Sequence, residues 1–160
     1  MVRRFKFEGA IYETLDCVPM AVRRKLDRAG IKISLEQWRA LGRGERLAIC
    51  HLPANLEEER EALTLFINEA VGRNGGALPT VLSDADRLIA EPPADPPEEL
   101  TKRAQDAGFA LTAETWGKLD PDQRYALMKL GAGSKVSHDF EPALKEMLDS
   151  GVASTPASGR

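Results

Sequence analysis

Apolar residues along the chain recur three and four positions apart, between short punctuation motifs that belong to helix ends. Pro19 suits a helix start, with Val22, Leu26 and Ala29 on one face and Gly30 as the left-handed stop. Ser34-Leu35-Glu36-Gln37 reads as a capping box ahead of Trp38 and Leu41, one turn apart. A longer helix follows, capped by Asn55, with Glu57, Glu58 and Glu59 at its positive end and Leu63, Phe66, Ile67 and Ala70 as its apolar stripe. Arg73-Asn74-Gly75 closes that helix, and Gly72–Pro79 reads as a loop. Thr112 is expected to cap a helix, without an acid or amide three residues on. Asp120-Pro121-Asp122-Gln123 opens another, and Phe140, Leu144, Met147 and Leu148 give a final stripe. No run of β-branched and aromatic residues alternates over five positions. The pattern predicts an all-α protein of seven to nine short helices.

The same pattern occurs twice. Shifted by 78 residues, Pro19–Leu52 aligns with Pro97–Leu130 without a gap. Pro19/Pro97, Gly30/Gly108, Trp38/Trp116, Leu41/Leu119 and Arg46/Arg124 are among the identities, and the chain's two tryptophans fall in register. The expectation is two tandem copies of a short helical unit, packed as one compact helical domain. The first copy would occupy 1–78 and the second 79–150, joined through the extended Glu91–Pro97 stretch, with a disordered tail over 151–160. At 160 residues and 17.5 kDa such a chain buries enough surface to need no staples.

Charge adds an asymmetry that the net value of −3 hides. Residues 1–50 carry eleven Lys and Arg against six Asp and Glu, and the remainder carries eleven against nineteen. The whole is too acidic for a general nucleic-acid binder, but Arg23, Arg24, Lys25, Arg28 and Lys32 form a dense basic run. On a helix Arg24, Lys25 and Arg28 lie opposite the apolar face and would form an exposed stripe fit to dock an acidic protein surface. No apolar run spans a membrane and the N-terminus lacks a signal-peptide core, so a cytoplasmic protein is expected.

Candidate chemistry is sparse. Cys17, Cys50, His51 and His138 lack the spacing of a metal site. Gly131-Ala132-Gly133-Ser134-Lys135 follows a helix, not a strand, and is no phosphate loop. The tryptophans are expected to be core. No catalytic residue, metal ligand or cofactor site emerges, and a non-enzyme is expected. Cys17-Val18-Pro19-Met20 places a thiol ahead of a helix, where the positive end lowers a thiol pKa if exposed. That leaves open a second class of function, thiol-based metal or sulfur delivery through Cys17. A third class is a small helical DNA-binding regulator that binds through the basic stripe, although the recognition-helix candidate Leu35–Leu41 has just Arg39 and Gln37 to reach bases.

Phe5-Lys6-Phe7-Glu8, Leu15-Asp16-Cys17-Val18-Pro19-Met20, Val22-Arg23, Lys25-Leu26-Asp27, Gly30-Ile31-Lys32-Ile33 and Trp38 together resemble the conserved nitrate reductase-associated protein family. The resemblance is densest over residues 5–52. It implies an accessory role in nitrate assimilation, supporting the maturation or activity of nitrate reductase without reducing nitrate. The partner it implies is nitrate reductase, a molybdenum-cofactor and iron–sulfur enzyme. Joined to the charge pattern, it makes Arg23, Arg24, Lys25, Arg28 and Lys32, with Cys17 and Met20 beside them, the candidate partner-binding surface.

Overall fold

A computed structural model describes residues 2–149. Among these, ten α-helices are accompanied by one two-stranded antiparallel ladder. The chain divides into two compact units, Met1–Arg4 with Glu8–Glu91 and Phe5–Phe7 with Pro92–Arg160. The tail expected over 151–160 lies outside the described residues.

The first unit contains α1 (Ile11–Thr14), α2 (Met20–Ala29), β1 (Ile31–Lys32), α3 (Leu35–Ala40), α4 (Arg43–His51), α5 (Glu57–Arg73), β2 (Thr80–Val81) and α6 (Asp84–Arg87). A 3₁₀ turn over Leu88–Ala90 follows. Val22, Leu26, Trp38, Leu41, Ile49, Leu63 and Ile67 meet in its core. The capping box of α3 forms as its sequence predicts: the Gln37 amide donates to Ser34 Oγ at 3.0 Å and the Ser34 amide to Gln37 Oε1 at 2.9 Å. Gly30 ends α2 at φ +79°, a left-handed conformation that glycine adopts without strain.

The second unit contains α7 (Glu98–Asp106), α8 (Ala113–Gly117), α9 (Pro121–Leu130) and α10 (Phe140–Asp149). Trp116, Tyr125, Leu127, Phe140 and Leu144 are buried in it. Gly131 is required by crowding: a Cβ there would lie 2.6 Å from Leu100 Cδ1 and 3.0 Å from both the Leu127 carbonyl and Phe140 Cε2.

Three expectations from the sequence need correction. The ladder pairs Ile31 with Val81 and Lys32 with Thr80, and Leu82 N–H donates to the Gly30 carbonyl at 2.8 Å. Two residues per strand are too few to leave an alternating pattern. The N-cap of α5 is Leu56 rather than Asn55, because the Glu59 carboxylate takes both the Asn55 amide (2.7 Å) and the Leu56 amide (2.9 Å). Thr112 caps α8 as expected, with the Thr115 hydroxyl, neither acid nor amide, accepting its amide at 2.8 Å. The one-turn helices α1 and α6 also take the number of helices beyond the expected seven to nine; four residues leave no periodicity to read.

Both tryptophans are fully buried, as core residues should be, and each indole N–H donates to a backbone carbonyl 23 positions earlier. Trp38 uses Leu15 at 2.7 Å and Trp116 uses Pro93 at 2.9 Å. Arg46 Nε donates to the Trp38 carbonyl at 3.0 Å, and Arg124 Nε to the Trp116 carbonyl at 3.0 Å. Arg46 Nε is shared with the Leu41 carbonyl at 3.1 Å, and Nη1 and Nη2 donate to the Leu15 and Arg39 carbonyls, tying α3 and α4 to the chain before α2. Stranding these acceptors is costly, so Arg46→Met should lower stability by about 1–3 kcal/mol. Arg124 reaches only the Trp116 and Gly117 carbonyls, and Arg124→Met should cost less. Urea unfolding of the two variants checks the order; a larger loss from Arg124→Met would contradict it.

Candidate functional site

The expected site is built on α2. Pro19 precedes it with φ −59° and ψ 148°, an extended geometry that proline pre-sets. The Met20 amide donates to Glu8 Oε2 at 3.0 Å, so a carboxylate already sits at the positive end of the helix. Met20 itself is buried, while Cys17 is exposed.

The basic run is not one exposed stripe. Arg23 and Lys32 face solvent. The Arg24 side chain is only 12% exposed, with Nε donating to the Ala90 carbonyl at 2.8 Å and Nη2 lying 3.5 Å from Glu91 Oε2. Arg28 pairs with the other oxygen of that carboxylate, at 3.1 Å from Nε to Oε1. The Lys25 ammonium donates to the carbonyls of Ile49, Cys50 (3.1 Å) and Leu52 (2.7 Å), where α4 runs out of intrahelical donors. Helical spacing alone predicted an exposed stripe here. It could not show that α4 and the 84–91 segment pack on that side.

Burial pulls Lys25 down to about 8, against the weaker upward pull of the neighbouring Cys50. Burial pushes the Cys50 thiol up, with Lys25 and then Arg4 opposing. Glu45 is held below the usual carboxylate range, first by the Gly42 amide at 2.9 Å, with Arg73 and Asn74 also donating to it. His51 is exposed in the last turn of α4. His138 is 92% exposed and lies 3.4 Å from Asp139. No group of three or more His, Cys, Asp or Glu side chains converges as a metal cage among the described residues.

Sequence reasoning missed a cleft of about 320 Å³ lined by Arg28, Arg60, Asp84, Arg87, Leu88 and Glu91. Its three arginines come from α2, α5 and α6 and are separated by up to 59 positions, so no local motif announces them. Arg87 lies across Gly30, 3.1 Å from where a Cβ would be, and its Nη2 donates to the Arg28 carbonyl at 3.0 Å.

The fold and this surface define a mostly helical, two-unit protein whose cations largely serve its own backbone and one open cleft. The chain belongs to the conserved nitrate reductase-associated protein family, which matches residues 4–147. That match extends well past the N-terminal segment that carries the visible resemblance. No curated protein and no solved structure matches the chain. No helix among the described residues is long and apolar enough to cross a membrane.

The Lys25 arrangement makes a pH prediction. Unfolding returns Lys25 from about 8 to its ordinary 10.5, so between those values the unfolded chain binds more protons and this group's contribution to stability rises with pH. Cys50 acts oppositely, because the folded chain keeps a thiol proton that the unfolded chain releases. In a Cys50→Ala background, the protein with Lys25 should therefore gain stability relative to Lys25→Met from pH 8 to pH 10. Parallel stability curves from denaturant unfolding would refute this.

Proposed function

We propose that this protein is a non-catalytic accessory factor that binds nitrate reductase and supports its maturation or activity in nitrate assimilation. The observation that carries the reading is the family match across residues 4–147, taken with the family's description as reductase-associated. The docking surface is the solvent-facing part of the basic run: Arg23 and Lys32, continued by the quarter-exposed Arg28, with Cys17 alongside. Lys25 and Met20 support that surface from inside. Charges at the rim of such an interface steer encounter and suppress wrong partners more than they add affinity. The work is placed in the cytoplasm.

The stretches 1–78 and 79–150 are read as copies of one ancestral element. Support comes from the paired bonds of Trp38 with Trp116 and Arg46 with Arg124. Lys25 reaches the carbonyls that follow α4 much as Arg103 reaches the Gly131 and Gly133 carbonyls after α9. In this reading the second copy completes a scaffold and the first meets the partner.

The exposure of Cys17 favours one second reading, in which the thiol passes a soft metal or sulfur to the partner. Cys17→Ser with normal reductase binding and absent reductase activation would select it.

The test is an affinity pull-down from extract of nitrate-grown cells, with bound proteins identified by mass spectrometry. The wild-type chain should retain nitrate reductase, and Arg23→Glu/Lys32→Glu should retain several-fold less while folding normally. Retention unchanged by the double reversal would sink the surface, and no retention from extract rich in the enzyme would sink the association by binding.

A further inference from the structure

We propose that the three-arginine cleft accepts the carboxylates of an acidic segment of the partner protein, and that Glu91 occupies it as a displaceable internal competitor. The proposal rests on the docking reading above and names the chemistry its surface takes.

The cleft is built rather than incidental. Arg60 is anchored by Nη1 to the carbonyls of Ala54 (3.3 Å) and Asn55 (2.7 Å), and by Nη2 to Glu57 at 2.6 Å. Arg87 is anchored by the Arg28 carbonyl and needs the bare face of Gly30 to lie where it does. A guanidinium offers five donors in a rigid fork, and carboxylates are its best-matched acceptors. Arg28 spends only Nε, on Glu91, and Arg87 only Nη2. The Nη groups of Arg28, Nε of Arg60 and Nη1 of Arg87 have no protein partner among the described residues. The donors are therefore held in place and underused.

Glu91 is the natural competitor. Its carboxylate bridges Arg28 and Arg24, yet its side chain is 58% exposed, and an exposed ion pair is worth only about 0–1 kcal/mol. It stands at the head of Glu91-Pro92-Pro93, where the chain leaves the first unit. Counting Glu57, which holds Arg60, with Asp84 and Glu91, the three arginines are balanced, and withdrawal of Glu91 leaves a net +1. Leu88, 68% exposed, adds an apolar contact for a segment that is not uniformly charged. An incoming carboxylate would replace Glu91 on Arg28 and meet Arg60 and Arg87 beside it, exchanging one ion pair for another without changing any covalent bond.

The experiment is fluorescence anisotropy with a labelled hexaglutamate peptide at low ionic strength, where such contacts are least screened. Glu91→Gln should tighten binding roughly two- to fivefold, the factor released when an exposed pair no longer competes. Arg60→Gln should weaken it, and Arg28→Lys, which keeps the charge but loses the planar fork, should weaken it too. Lys118→Gln removes the same charge from the second unit and should change nothing. Circular dichroism of each variant separates misfolding from lost binding. Unchanged affinity in Glu91→Gln overturns the competitor, and equal losses from Arg60→Gln and Lys118→Gln overturn the cleft. Inorganic phosphate competing as well as unlabelled peptide at matched ionic strength overturns a peptide occupant in favour of a small oxyanion. Reductase retention unaffected by Arg23→Glu/Lys32→Glu, with peptide binding still sensitive to Glu91, would remove the docking reading and leave the cleft.

Discussion

Much of this fold depends on delivering positive charge to the carbonyl groups that its short helices leave unpaired. A helix of nine residues still has four terminal carbonyls without an intrahelical donor, so a protein made of such helices has an unusual share of acceptors to satisfy. Long cationic side chains supply donors from elsewhere in the sequence: Lys25 to the end of α4, Arg46 to the end of α3, Arg103 to the turn after α9 and Arg124 to the end of α8. The helix dipole favours the same placement. No buried side-chain nitrogen or oxygen among the described residues lacks a hydrogen-bond partner.

This constraint shapes the candidate surface. A basic run on an amphipathic helix reads as a solvent-facing band, and only its outermost members have that freedom. Arg24 and Lys25 are committed inward, and Arg28 is shared between the fold and the cleft. In the proposed reading, docking falls to the cations whose geometry the backbone does not consume. Arg23 and Lys32 offer charge without fixed direction, whereas the cleft offers direction with modest net charge.

What the sequence made legible follows from the range of each interaction. Capping boxes, glycine stops and the Trp–Leu spacing act within a few residues, so Ser34 with Gln37, Asp120 with Gln123 and Gly30 could all be placed from the text of the chain. The family resemblance was legible for the same reason, being carried by contiguous N-terminal segments. Two-residue strands, the Glu59 carboxylate capping amides ahead of its own helix, and arginines drawn from three helices leave no periodic trace. The tryptophan partners, Leu15 and Pro93, each 23 positions before its indole, are also invisible locally.

The two sulfhydryl groups meet opposite surroundings. Cys50 is sealed within the first unit, where burial keeps it protonated, while Cys17 stands in solvent just ahead of α2. Thiol-directed reagents therefore encounter one thiol in the native protein. A spectroscopic probe attached at Cys17 would stand next to the N-terminal turn of α2 without any engineered cysteine. The native sequence thereby carries its own reporter for whatever comes to rest on that helix.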